Sequence, residues 1–174
     1  MCIANDLGLP KYFYISPYWG NLRRNMSKFT ILYGTETGNS ELLAMEISTA
    51  AACKGLDFEY FGMDDISHQE FLKIENLIVV CSTWGDGEQP GNAEELFEFV
   101  SNLDSDTLRG MNYSVLALGD TAFDLFCEAG IQWDETLEKK GAYRVYPRMD
   151  CDTDYAEDAD YWTDGVLNEL IPFC

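Results

Sequence analysis

Positive charge is scarce in this chain. Eleven Lys and Arg stand against 31 Asp and Glu in 174 residues, a formal net charge of −20. Nucleic acid binding needs basic groups to neutralise phosphates, so this balance argues against a nucleic acid partner and equally against docking on anionic lipid. It suits a protein steered toward a positively charged partner, or simply a well solvated acidic surface. Histidine is nearly absent too. His68 stands alone among Ser67, Gln69 and Glu70, which argues against a histidine metal cluster or a Ser-His-Asp triad and reads as a surface position. No apolar run approaches the roughly 18 residues of a membrane-spanning helix. Met1–Trp19 lacks a basic start followed by a clean apolar stretch, so a secretory leader is not expected. The cysteines (Cys2, Cys53, Cys81, Cys127, Cys151 and Cys174) are scattered with no C-x-x-C pair. They read as reduced thiols of a cytoplasmic protein, not as a disulfide frame or a zinc site.

What is present is a globular composition, 47% hydrophobic and 14% aromatic, in a length that suits one domain. From Lys28 onward, short apolar runs alternate with helical patterns. Phe29–Tyr33 reads as a first strand ending at Gly34, and Asn39–Lys54 as a helix with Leu43, Ile47, Ala50 and Ala51 on one face. Leu56–Phe61 gives a second strand. Leu77–Cys81 is a continuous apolar run of the kind buried on both faces of a parallel sheet. A helix with Ala93, Leu96, Phe97 and Val100 follows, then a strand over Tyr113–Leu118. A helix containing Phe126, Trp133 and Leu137 leads to a fifth strand over Ala142–Tyr146, and Ala159, Trp162, Val166, Leu167 and Leu170 mark a last helix. Parallel neighbours need crossover connections, so this alternation predicts an α/β fold with a doubly wound, five-stranded parallel sheet. The predicted domain is 28–174. Residues 1–27, with Pro10, Pro17 and Gly20 among five aromatics, fall outside the rhythm and read either as a docking arm or as a misplaced start before Met26-Ser27-Lys28.

Ligands of doubly wound sheets bind beyond the carboxyl ends of the strands. Three loops expected there are unusual. After the first strand, Thr35-Glu36-Thr37-Gly38-Asn39-Ser40 runs into a helix. Hydroxyls, an amide and the free N–H groups of a helix terminus would cradle a phosphomonoester; the same residues also suit an ordinary helix cap. The loop is neither G-x-x-x-x-G-K-[ST] nor G-x-G-x-x-G, which excludes a P-loop nucleotide hydrolase and weakens a dinucleotide reading. After the third strand, Ser82-Thr83-Trp84-Gly85-Asp86-Gly87 puts an aromatic face beside glycines that let the backbone approach a planar ring. After the fourth, Leu118-Gly119-Asp120 is followed by Phe123, Phe126 and Cys127; Phe123 reaches the same edge, and Phe126 also fits as a core residue of the following helix. Together they offer a phosphate cradle and two aromatic walls, a geometry suited to a flat ring joined to a phosphate by a short chain.

In order and spacing these three loops resemble the FMN loops of flavodoxins, over about residues 28–174. The tail Arg148-x-Asp150-x-Asp152-x-x-Tyr155, followed by Trp162, is similar to the FMN domain of diflavin reductases such as the sulfite reductase flavoprotein. The resemblance implies strand order 2-1-3-4-5, the short-chain form with no long insertion in the fifth strand, and a freestanding monomeric carrier of the MioC type. It implies an electron carrier holding FMN and shuttling electrons one at a time between a reductase and an acceptor enzyme with basic docking surfaces. Thr35, Thr37, Gly38, Asn39, Ser40 and the Glu36 backbone N–H would bind the phosphate. Trp84 and Phe123 would flank the ring, with Ser82, Thr83, Gly85, Asp86, Gly87, Leu118, Gly119, Asp120, Phe126 and Cys127 completing the site. The Gly85 peptide would reorient on reduction to accept from flavin N5–H. Many relatives carry tyrosine where Phe123 stands. An NAD(P)H-dependent flavin or quinone reductase on the same fold is the alternative, although no nicotinamide motif is visible. A response-regulator receiver is excluded because no acidic pair follows the first strand and no lysine follows the fifth.

Overall fold

A computed structural model describes residues 29–171, so the expectations for residues 1–27 lie outside the described residues. The strands are β1 (Phe29–Gly34), β2 (Phe58–Gly62), β3 (Asn76–Ser82), β4 (Asn112–Leu118), β5 (Tyr143–Arg144) and β6 (Met149–Cys151). The helices are α1 (Asn39–Cys53), α2 (His68–Phe71), α3 (Glu94–Ser101), α4 (Glu128–Lys139) and α5 (Ala156–Leu170). All pairing in the sheet is parallel, in the order β2-β1-β3-β4-β5, with β6 also on β4. The doubly wound α/β sheet in the order 2-1-3-4-5 is therefore observed. Among the described residues no helix is long and apolar enough to cross a membrane.

Period-two alternation divides the core into two halves. Phe29 and Ile31 of β1, Ile78 and Val80 of β3, and Leu116 and Leu118 of β4 pack under α1 and α5 with the buried Trp162. Leu32, Leu77, Val79, Tyr113 and Val115 face the other way, toward α3 and α4, around the buried Trp133. That explains why the β3 run is apolar at every position: its residues feed both halves in turn. Each large side chain buried this completely contributes about 1.5–3 kcal/mol. Gly130 lets α4 lie directly on β4, because a Cβ there would overlap the Cβ of Ala117.

The fifth strand differs from expectation. Only Tyr143–Arg144 of the predicted 142–146 pairs, against Asn112–Tyr113, and pairing resumes at Met149–Cys151 against Leu116–Leu118. Pro147 has no N–H to give a ladder. The carbonyls beside the break turn to side chains instead: Ser114 Oγ donates to the Tyr146 carbonyl and Trp162 Nε1 to the Pro147 carbonyl, both at 2.9 Å. Two smaller corrections concern β2 and α2. The second strand starts at Phe58, since Leu56 N–H still closes the α1 terminus on Ala51 O at 3.0 Å. The short α2 has no apolar repeat in the sequence to signal it, and Ser67 and Glu70 form its capping box.

Candidate functional site

The C-terminal ends of β1, β3, β4 and β6 open on one cleft of about 600 Å³. Of the residues singled out in the sequence, Glu36, Thr37 and Asn39 line it from the first loop. Ser82, Thr83, Trp84 and Gly85 line it from the second, and Leu118, Gly119, Asp120 and Phe123 from the third. Leu125, Thr153 and Tyr155 line it too and were not among the sequence candidates. Thr35, Gly38, Ser40, Asp86, Gly87, Phe126 and Cys127 stand behind or beside this surface rather than on it.

The first loop owes its shape to internal bonds. Thr35 Oγ1 accepts from Gly38 N–H at 2.9 Å, closing a turn, and Asn92 Oδ1 accepts from Thr35 N–H at 2.8 Å while its Nδ2 donates to Tyr33 O at 3.2 Å. Asn92, 57 positions away, thus ties the loop to the segment after β3. The Glu36 carboxylate adds a second tie by accepting from Gly91 N–H. Gly38 is the residue before α1 and takes φ 88°, a left-handed conformation that favours glycine, and no side chain caps the helix. The first-turn N–H groups of α1 are therefore open to an external acceptor. Within that turn Ser40 Oγ is buried without a hydrogen-bond partner among the described residues. A buried hydroxyl in that state has a desolvation cost that a bound acceptor would relieve.

The second loop is a tight reversal. Trp84 and Glu88 exchange backbone bonds at 3.0 and 2.8 Å, which leaves Asp86 exposed at the tip. Thr83 N–H is held by Leu118 O at 2.9 Å, and Thr83 Oγ1 accepts from Ala129 N–H at 3.1 Å. Trp84 is consequently fixed at its root while 52% of its surface stays exposed. In the third loop Asp120 Oδ1 accepts from Ala122 N–H at 2.8 Å and Asp120 O from Phe123 N–H at 3.1 Å, a turn that carries Phe123 outward at 60% exposure. Phe126 is half-buried in the segment before α4, which begins only at Glu128, so it is not a core residue of that helix. Cys127 is fully buried, has φ 56°, and its Sγ contacts Cys151 O at 3.6 Å. Burial pushes the Cys127 and Cys151 thiols up to about 12, so both stay protonated at neutral pH. Neither is a poised nucleophile.

Charge is distributed unevenly about the cleft. The stretches following the strand ends carry Glu36, Glu41, Asp64, Asp65, Asp86, Glu88, Asp120, Asp124, Glu128, Asp152 and Asp154, and no Lys or Arg. The basic residues among those described are Lys54, Lys73, Arg109, Lys139, Lys140, Arg144 and Arg148. They lie at helix C-termini, in segments leading into strands, or along β5 and the turn to β6.

Comparison with known proteins bears directly on this geometry. The sequence model of the family described as "Flavodoxin" matches residues 31–162. The chain belongs to the flavodoxin family. FMN binding and electron transport are the properties of that family. The chain is 40% identical over 141 residues to the sulfite reductase [NADPH] flavoprotein alpha-component of Bacillus subtilis (strain 168), covering 81% of this chain and 23% of that protein. It is 36% identical over 143 residues to the corresponding component of Vibrio parahaemolyticus, covering 82% and 23%. The chain thus spans under a quarter of the length of these relatives. Among solved structures, a flavodoxin from Streptococcus pneumoniae TIGR4 superposes with a TM-score of 0.75 at 26% identity, covering 84% of this chain and 99% of that one. A flavodoxin mutant from Pseudomonas aeruginosa gives 0.73 at 28% identity, covering 83% and 99%.

Proposed function

We propose that this flavodoxin-family chain holds one FMN in the cleft and passes electrons singly between a reductase and an acceptor redox protein, both presenting basic docking surfaces. The observation that carries the reading is the uncapped N-terminus of α1, whose Asn39 lines a cleft bearing two exposed aromatics and whose buried Ser40 hydroxyl behind it has no partner among the described residues. A helix N-terminus is an anion site, and a phosphate there would supply the acceptor that Ser40 lacks. Trp84 and Phe123 are large apolar surfaces left in water at the same cleft, a cost that covering by a flat ring removes.

When bound, FMN supplies the one-electron redox chemistry. The residues of this chain would do the rest. Thr37, Asn39 and Ser40 would hold the phosphate with hydroxyl, amide and backbone N–H donors. Trp84 and Phe123 would exclude water from the ring faces, and the Trp84–Glu88 reversal would bring backbone groups to the ring edge. Asp86, Glu88, Asp120, Asp124 and Glu128 would make a negative field that disfavours added negative charge and lowers the potential of the last electron. The relatives' name, a sulfite reductase [NADPH] flavoprotein component, supports an NADPH-linked reductase as electron source.

Reconstituting the purified chain with FMN tests the first half. A stoichiometric two-banded flavin spectrum that survives gel filtration is expected, and a protein that stays colourless in excess FMN sinks the reading. Partner docking is tested by salt. Electrostatic steering predicts a fall of about tenfold or more in the second-order rate of reduction by a flavoprotein reductase as ionic strength rises from about 0.05 to about 0.5 M. A rate indifferent to salt would remove the basic partner from the proposal.

A further inference from the structure

The Phe123 wall of the cleft has little packing to hold it, yet its turn is fastened from outside at one point. Asp152 Oδ1 accepts from Thr121 N–H at 3.1 Å, its Oδ2 accepts from the Thr121 hydroxyl, and Oδ1 also accepts from Thr153 N–H at 2.7 Å. Thr121 lies inside the Asp120–Phe123 turn, and Thr153 with Tyr155 lines the same cleft from the segment after β6. One carboxylate therefore joins two walls from segments 31 positions apart.

We infer that Asp152 is a positioning residue that sets the Phe123 wall of the cleft by clamping Thr121. The inference rests on the FMN reading above.

Three features support it. First, the anchor is rigid, because Asp152 directly follows β6, whose Cys151 is in register with Leu118 and accepts from Gly119 N–H at 2.9 Å. The clamp thus refers the turn back to the sheet. Second, Phe123 is 60% exposed, so its ring direction follows from the backbone of its turn and not from neighbouring side chains. The bonds inside the turn, from Ala122 and Phe123 to Asp120, fix its shape but not its orientation over the cleft. Third, the acceptor is charged. The Thr121 hydroxyl, then the Thr153 and Thr121 backbone N–H groups, hold the Asp152 carboxyl below its ordinary range, as expected of a carboxylate engaged by several donors. The same segment explains why the interrupted fifth strand matters to the site. Resumption of pairing at β6 brings residue 152 to the cleft mouth.

A double-mutant cycle on FMN affinity, read by quenching of FMN fluorescence on titration with FMN-free protein, tests this. Asp152→Ala is expected to weaken binding about tenfold in the native background and by less than about twofold when Phe123 is already alanine, since a clamp acting through Phe123 has nothing left to position. An equal loss in both backgrounds, or no loss in the native one, overturns the inference. Should Asp152→Ala not fold, as judged by circular dichroism, Thr121→Val takes its place in the same cycle, where the same two outcomes decide. Unmutated protein that binds no FMN would overturn the FMN reading and this inference with it. Tight binding by that protein with an unaltered Asp152→Ala variant overturns this inference alone.

Discussion

Replacing Asp134 with alanine lowers the stability of the fold by about 3 kcal/mol, read as a shift of the urea midpoint at unchanged slope. The Asp134 side chain is only 6% exposed, and each of its oxygens accepts from a different arginine, Arg144 Nε and Arg148 Nη1, both at 2.7 Å. Tyr113 adds a bond from its hydroxyl to the Asp134 backbone carbonyl at 2.9 Å, and Arg144 lies over the Tyr113 ring. Burial works against the charge of Arg144, but the hydrogen bond to Asp134 and the charges around it outweigh burial and keep the guanidinium protonated. For Arg148 the bond to Asp150 is the leading support, with burial opposing it. Without the Asp134 carboxylate, Arg144 keeps only the exposed Glu138 as an ion-pair partner in a partly buried corner, while Arg148 retains its two bonds to Asp150 but loses the tie to α4.

Glu138, mostly exposed and 3.2 Å from Arg144, cannot substitute, because an exposed pair contributes little. The guanidiniums keep some water, at 31% and 23% exposure, which is why the expected loss falls at the low end of the 3–5 kcal/mol or so typical of breaking a buried pair. The corner staples α4 to both halves of the broken fifth strand, so the missing ladder between Arg144 and Met149 is offset by side-chain bonds. Asp134→Asn, which keeps one acceptor oxygen, should lose about half as much. A loss below about 1 kcal/mol for the alanine variant would mean that the corner is merely solvated.

How much of this was visible in the chain depends on how local the cause was. β1, β3 and β4 were readable because their runs are apolar and β-branched on their own account, and the helices α1, α4 and α5 because each repeats an apolar face. The interrupted fifth strand was not. Met149-Asp150-Cys151 has no strand signature, and it becomes a strand only because Leu116–Leu118 offers unpaired backbone beside it. The same division runs through the cleft. Trp84, Phe123 and the 35–40 loop announce themselves by residue type next to a strand end. Asn92, Leu125 and Thr153 reach the site by juxtaposition, and nothing in their immediate neighbours marks them; Tyr155 was marked only by the tail motif it shares with Asp150 and Asp152. Thr35 shows that one residue can serve both ends: its hydroxyl oxygen accepts from Gly38 N–H to close the turn, and its O–H remains a donor. Cys127, left-handed without being glycine, is held by close packing against Gly119, a tertiary cause with no local sign.

Riboflavin, which carries the same ring and chain without the phosphate, is expected to bind about a thousandfold more weakly than FMN. The α1 terminus sets the size of this difference. Gly38 provides no cap and no side chain of the described residues caps the helix, so the N–H groups of the first turn are free to meet an anion, and each charge-assisted bond is worth about 1.5–3 kcal/mol. Two or three such bonds, reduced by the cost of stripping water from a dianion, leave a difference of about 4 kcal/mol, or three powers of ten. Among the described residues no Lys or Arg lines the cleft, so the recognition they offer comes from dipoles and hydroxyls. Phosphate recognition should therefore persist at an ionic strength that abolishes partner docking, because short bonds within a closed turn are screened far less than a field acting across solvent. Ser40 separates this account from a generic attraction. Its buried hydroxyl has no partner among the described residues, so Ser40→Ala should weaken FMN by about tenfold while leaving riboflavin nearly unchanged. Isothermal titration of both ligands against both proteins gives the four affinities required. If riboflavin binds within tenfold of FMN, or Ser40→Ala weakens the two ligands equally, the α1 terminus is not the phosphate site and the cleft must seat its ligand in another orientation.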